Sequence, residues 1–473
     1  MPRALLIVVL ALVLVAPTGG AAAERLSWET GEGKSYVIPA LEIGGFLFGL
    51  NQVNRHLIDS EEYGSDGHSI WRNLRTEPDF DRDPFSVNQI GHPYQGSIFF
   101  GAARAAGLSF WESLPYSLGG SFLWEIAGET TRPSINDYVT TAIGGAFAGE
   151  ALFRMAGLLL EGGGQKPSLW RELGAALISP PTGFNRLVFG DRFDAVFPSR
   201  NPEVFMRLRL GATLTTNVRN ADLTSDVTEQ EGSADYSLTY GLPGKPGYQY
   251  KRPFDYFHFQ LTAVPNAARV TDAIENVSIR GLLVGRTYDL GDRYRGVWGL
   301  FGSYDYLSPQ VFRVSTTALS VGTVAQWWLS RKIALQGTAL AGLGFGAAGT
   351  VDDRAERDYH YGVVPQTLLG LRLIFGDRVM LEATGRQYYV AGIGSGAETS
   401  GEKFGQEIIG RGGVGFTVRI WGPHAIGLQY LVSRRETRSA DLRDRHQSVE
   451  TVSLTYNFLG NTRFGAVEWR PEY

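Results

Sequence analysis

A chain of 473 residues is long enough for two domains, each with its own core. Its formal net charge of −4 offers no basic surplus for a polyanion, so nucleic acid is not an expected partner. Cysteine is absent, which excludes disulfides, thiolate metal sites and cysteine nucleophiles together. The 60 glycines, 21 tyrosines, 26 phenylalanines and 10 tryptophans suit a transmembrane β-barrel, which needs small residues where strands curve and amphipathic rings at the membrane interface.

Arg3 precedes an unbroken apolar run from Ala4 to Ala16, and Ala21-Ala22-Ala23 supplies a small-residue cleavage site before Glu24. Such a run is too short to cross about 30 Å of hydrocarbon as a helix, so residues 1–23 read as a signal peptide rather than an anchor. The address implied is the cell envelope.

Residues 24–202 then carry helical periodicity. A first apolar helix is expected over Pro39–Leu57, followed by a polar, aromatic stretch at 59–86 with little period and the run Asp79-Phe80-Asp81-Arg82-Asp83. A second helix is expected from about Tyr94 to Ala106, stopped by Gly107. Ser109 with Glu112 makes a capping box opening a third, which reaches about Gly128, and Ser134 with Asp137 opens a fourth that reaches about Leu160. A fifth spans about Ser168–Ile178, ending before Pro180-Pro181. The fourth is apolar enough to resemble a membrane span, but Glu150 and Arg154 sit mid-helix at i,i+4, where they can pair. A packed bundle is the expectation, with Gly145 and Gly149 allowing close helix approach.

From about residue 203 to 459 the period becomes two. Val204, Met206, Leu208 and Leu210 alternate with Phe205, Arg207, Arg209 and Gly211, and the pattern recurs at Phe257–Ala263, Gly413–Ile420 and Thr451–Phe458. One uncharged apolar face opposite a face with arginines and amides suits lipid outside and a polar lumen inside. Short turns at Gly291-Asp292, Ser330-Arg331-Lys332, Gly376-Asp377 and Gly422-Pro423 alternate with longer polar loops near 308–315, 349–360, 392–407 and 438–447. The expected fold is therefore α + β: a helical bundle followed by an antiparallel transmembrane barrel of about 12 strands, both barrel ends on the short-turn side. Residues 460–473 form a tail beyond the last strand's Phe458, a departure from barrels that end on that aromatic.

Several polar residues fall on the apolar helices. His92 and Tyr94 open the second helix after Asn88, Glu125 and Glu129 are i,i+4 on the third, and Asn136 and Asp137 begin the fourth. An imidazole with clustered carboxylates could serve general acid–base chemistry or bind a divalent metal. His92, Glu125, Glu129 and Asp137 are thus candidate catalytic residues, and Asn88, Tyr94, Arg104, Arg132 and Asn136 candidate substrate-binding residues. The plainer alternatives are a helix cap for Asp137, an ion pair to Arg104 or Arg132 for Glu125, and a hydrogen-bonding role at the helix end for His92. The residues name no cofactor and leave the metal open.

The stretch Asn88 to Arg154 resembles an uncharacterised bacterial domain family found on outer-membrane proteins. The resemblance rests on Asn88, His92-Pro93-Tyr94, Gly96-Ser97, Trp124-Glu125, Gly128-Glu129, Pro133-Ser134-Ile135-Asn136-Asp137 and Gly145 with Gly149-Glu150; Asp81, Asp83 and Gly183-Phe184-Asn185-Arg186 also fit. It implies a location and no chemistry. A fainter similarity is to the VanZ-like membrane proteins, carried by the order of His92 and Tyr94, Glu125, Arg132-Pro133-Ser134 and Asp137; it implies a lipid or envelope-glycan substrate. Together these give an outer-membrane barrel protein with a helical domain, periplasmic or inside the barrel, acting on envelope lipid, lipopolysaccharide or glycan. The alternative is a non-catalytic channel, transporter or scaffold with that domain as plug or docking module. Expected partners are outer-membrane lipid and the barrel-assembly machinery. No nucleophile elbow, phosphate-binding loop, H-E-x-x-H helix or EF-hand loop is present in the sequence.

Overall fold

The computed structural model describes residues 24–467 apart from 82, 165, 221–222, 226–228, 265–272, 352–358, 396–404 and 439–444. The expected signal peptide lies outside the described residues. Contacts divide the chain into a unit of residues 1–81 and 87–200 and a unit of residues 82–86 and 201–473.

The first unit is helical. Its helices are α1 (Val37–Leu57), α2 (Gly67–Asn73), α3 (His92–Ala105), α4 (Phe110–Leu123), α5 (Ile135–Glu161), α6 (Leu169–Ile178) and α7 (Pro180–Phe189). Two of these lie outside the expected set. Asp66 accepts from the amides of His68 and Ser69 and opens α2 inside the stretch read as aperiodic. Pro180, expected to end the helical run, instead occupies the first turn of α7, where its missing N–H costs nothing. The Ser109–Glu112 capping box is present in full.

The helices pack where glycine lets backbones touch. A Cβ on Gly96 would lie 1.7 Å from the carbonyl oxygen of Thr141, and one on Gly145 would lie 2.6 Å from the Cα of Gly96. Farther along, Gly149 meets Ser97 and Phe100, so α3 and α5 run parallel. α5 is long and apolar enough to cross a membrane, but it is mostly buried. It carries a buried ionic network: Glu150 accepts from Arg104 at 2.6 Å and Arg154 at 2.7 Å, with the Arg104 guanidinium 4.5 Å from the Phe153 ring.

The second unit is a closed antiparallel barrel. Its strands are β1 (Val204–Asn220), β2 (Glu229–Tyr240), β3 (Phe257–Ala263), β4 (Ile274–Leu290), β5 (Tyr294–Leu307), β6 (Phe312–Ser330), β7 (Ile333–Thr350), β8 (Tyr359–Phe375), β9 (Val379–Ser395), β10 (Gln406–Trp421), β11 (His424–Arg438) and β12 (Arg445–Leu459). Each strand pairs with its neighbours in sequence, and β12 closes on β1 with Leu459 opposite Arg207. A further three-residue strand, Leu223–Ser225, pairs with β1. Twelve strands therefore complete the ring among the described residues.

Alternation sorts as the pattern predicts. Leu208, Leu210 and Leu214 are exposed while Arg207 and Arg209 are buried, and Ile426, Leu428 and Leu454 are exposed on the closing strands. Trp327, Phe375, Trp421 and Phe458 stand exposed near the short-turn ends, the place for an aromatic girdle. Two connections differ from expectation. Residues 308–311 form a four-residue turn rather than a long loop, because Val311 and Phe312 are buried with Leu307 and Val314. Residues 241–256, on the short-turn side, form a long connection built of turns, with Tyr250 donating to the Gly241 carbonyl and the Lys251 and Arg252 backbone amides donating to Asp255.

The tail has a definite place. Phe464, Ala466 and Val467 are buried against Phe205, Ala334, Ile374 and Met380, filling the short-turn end of the lumen. Gln336 donates to the Gly465 carbonyl at 2.9 Å, and Gln326 both accepts from the Val467 amide and donates to its carbonyl. Toward the other end, Phe85 packs on Tyr306 and Tyr359, with the Arg313 guanidinium 4.8 Å from its ring. A cavity of about 730 Å³ lies between.

Candidate functional site

Because α3 and α5 run parallel, their first turns lie at the same end of the bundle. His92 is the first residue of α3 and Asp137 stands in the first turn of α5, so helix packing brings together two residues 45 positions apart in sequence. The His92 Nε2 to Asp137 Oδ1 distance is 3.9 Å. A third segment completes the arrangement. The Asp79 amide donates to the Pro133 carbonyl at 3.0 Å and the Ile135 amide donates to the Asp79 carbonyl at 2.9 Å, a short parallel bridge. Two residues on, the Asp81 amide donates to Asn136 Oδ1 at 2.9 Å. One side-chain atom from each of Asp81, His92 and Asp137 lies within 4.8 Å of the other two.

A buried frame holds these groups. Ser134 caps α5 by accepting from the Asp137 amide, and its hydroxyl donates to Asn136 Oδ1 at 2.7 Å. The Asn136 side-chain Nδ2 in turn donates to Asp137 Oδ1 at 3.0 Å. Asp137 therefore spends its carboxylate on Asn136 and the cluster, not on the return bond of a capping box. Glu125 accepts from the Ser134 amide at 2.7 Å and is buried beside the cluster. Burial, with Asp81 nearby, holds the Asp137 carboxyl well above the usual carboxylate range. Burial first, then Asp137 and Glu129, does the same for Glu125.

The local backbone departs from α-helix three times around this point. Five-residue π-helical turns occupy Val87–Gly91, just before His92, Trp124–Gly128, which contains Glu125, and Thr140–Gly144, three residues after Asp137. π turns concentrate at functional sites because they re-aim side chains at the cost of regular hydrogen bonding. The second one also separates Glu125 from Glu129. Glu129 leaves the helix with extended backbone and accepts from the Trp124 indole at 2.7 Å and the Thr131 hydroxyl at 3.0 Å.

The remaining candidates scatter. Asn88 is fully buried in the π turn before His92, and Tyr94 is half exposed. Arg104 belongs to the Glu150 network, and Arg132 is exposed. The Glu125 carboxylate is answered instead by the Ser134 backbone amide. Asp81 was not among the sequence candidates. Its signal was the acidic run at 79–83, but the bridge that delivers it is non-local.

Two carboxylates and one imidazole make a hard, oxygen-rich set suited to a divalent cation. Ligand distances near 2.0–2.3 Å would place neighbouring donors roughly 3–4.5 Å apart, close to the spacing found here. His92 Nδ1 is buried without a hydrogen-bond partner.

Residues 77–181 match the family model named Domain of unknown function (DUF3943). That matched stretch contains Asp81, His92, Glu125 and Asp137. No curated protein matches the sequence. Among solved structures, the outer membrane channel DcaP of Acinetobacter baumannii is 9% identical over 54% of this chain and 96% of its own, with a TM-score of 0.24. The Pseudomonas putida toluene transporter TodX is 8% identical over 56% and 91%, at 0.23. An outer membrane channel from Pseudomonas putida F1 is 8% identical over 55% and 96%, at 0.28. These likenesses are remote, and the fold rests on the strand pairing itself.

Proposed function

We propose that this protein is anchored in the outer membrane by its barrel and that its helical unit is an envelope enzyme built around a divalent cation held by Asp81, His92 and Asp137. The membrane placement is supported by a closed ring of strands with exposed leucines outside and arginines within, since closure leaves no unpaired edge in hydrocarbon. The observation that carries the enzyme reading is the convergence of the three donors within 4.8 Å from three separate segments. A cation there would acidify a bound water. The chemistry such an ion would supply, held by Asp81, His92 and Asp137, is hydrolysis at the phosphorus, acyl or anomeric carbon of an envelope lipid, lipopolysaccharide or glycan. Glu125, kept protonated by burial, would give its proton to the leaving oxygen as that bond breaks and recover the one that water gives up.

The test replaces the chromosomal copy with His92→Ala or Asp137→Asn. Both variants should assemble normally yet reproduce the lipid or glycan profile of a deletion strain. Full restoration of the parental profile by both would end the enzyme reading. A second reading, a channel or transporter, is favoured by the lumen cavity of about 730 Å³. It calls for currents across a planar bilayer from the purified full chain.

A further inference from the structure

The lumen arginines do not balance. Arg207, Arg209 and Arg372 surround Glu382 and Asp235, three guanidiniums to two carboxylates. Arg209 is fully engaged, 2.7 Å from Asp235 and 3.2 Å from Glu382. Asp235 is further satisfied by Gln260 and Thr262, each donating at 2.7 Å. Arg207 reaches Glu382 through Nη2 at 3.1 Å, but its Nε and Nη1 are buried and meet no partner. Among the described residues Arg372 donates to the neutral Gln336, at 2.5 Å, and lies 5.2 Å from the Phe205 ring. Elsewhere in the lumen Arg280 and Arg386 share the carboxylate of Asp305, at 2.7 and 3.5 Å, Arg411 pairs with Glu275 at 2.8 Å, and Glu231 lines the cavity farther along β2.

A buried guanidinium with two unanswered nitrogens is costly, because each unpaired donor retains its desolvation penalty. Arg207 and Arg372 both line the cavity. Its volume of about 730 Å³ is in the range of small-molecule sites. The wall near the arginines is apolar: Tyr256, Val324, Leu340 and Leu368 pack together along it.

We propose that the barrel lumen binds a small amphipathic anion, its carboxylate or phosphate on Arg207 and Arg372 and its apolar body along Tyr256, Val324, Leu340 and Leu368. One negative charge neutralises the three-to-two imbalance, and a planar or tetrahedral oxyanion takes the paired N–H donors that guanidinium presents. The site belongs to the barrel and stands independently of the cation cluster in the helical unit.

The full chain in lipid nanodiscs, titrated calorimetrically with decanoate, decyl phosphate, decanol and decylammonium against empty nanodiscs, tests this. Saturable binding of one decanoate or decyl phosphate per chain is expected, with no saturable uptake of the alcohol or the amine. The tighter of the two anions identifies the headgroup. Arg207→Gln with Arg372→Gln should weaken anion binding at least tenfold. Equal binding of decanol or decylammonium, absence of saturable anion binding, or undiminished binding by the double variant would each overturn the proposal. Should the double variant fail to assemble, the wild-type comparison of anion with alcohol and amine decides alone.

Discussion

The two units of this chain solve burial in opposite ways. In the barrel, alternate side chains face opposite environments, so each strand declares its orientation locally and a leucine beside an arginine is enough. In the helical unit, orientation comes from packing, and Gly96 against Thr141 aligns the two helix starts that form the cluster. The lesson is that a repeating rule tolerates substitution at many sites, whereas a single close approach does not.

That contrast can be broken first at Gly96. Gly96→Leu would force α3 and α5 apart and should cost more than about 4 kcal/mol, the range reserved for gross overpacking. Circular dichroism should show lost helix while the barrel keeps its heat-modifiable gel migration. Loss of both together would show that the units do not fold separately.

Within one strand, the neighbours Leu428 and Gln429 sharpen the comparison. Leu428 is exposed on the outer face, and Gln429 lines the lumen cavity. Leu428→Arg should cost about 2–4 kcal/mol in a bilayer, against little for Gln429→Arg. Equal costs in reversible unfolding from vesicles would contradict the lipid-facing assignment.

The smallest effect concerns Glu42 on α1, whose carboxyl burial pushes up to about 8, with Asn185 nearby acting in the opposite direction. A raised folded pKa means that the folded state holds the proton longer, so stability is full below the unfolded value and declines as pH rises from about 4.5 toward 8. Glu42→Gln should remove this slope, leaving the variant more stable than wild type at pH 8 by on the order of 1–3 kcal/mol. Parallel stability–pH curves would refute the assignment.

How much was legible follows from the same difference. Strand count and facing were readable because each segment carries its own period, while the plug made by Phe464, Ala466 and Val467 was not, since a tail's destination is set by what it meets. The helix caps at Ser109 and Ser134 were readable from spacing of three. The sequence pattern placed Glu125 and Glu129 on one helical face, but the π turn at Trp124–Gly128 shifts the register and sends Glu129 to Trp124. Asp81 enters only through the Asp79–Ser134 bridge, 55 residues apart in sequence, and no local pattern encodes that pairing.

Cation binding tests the central claim most directly. Manganese or zinc titrated into the purified full chain should saturate at one ion per chain, and Asp137→Asn or Asp81→Asn should each weaken it at least tenfold while the helical content stays the same. Unchanged affinity in both variants, or no saturable uptake by the wild type, would contradict the account.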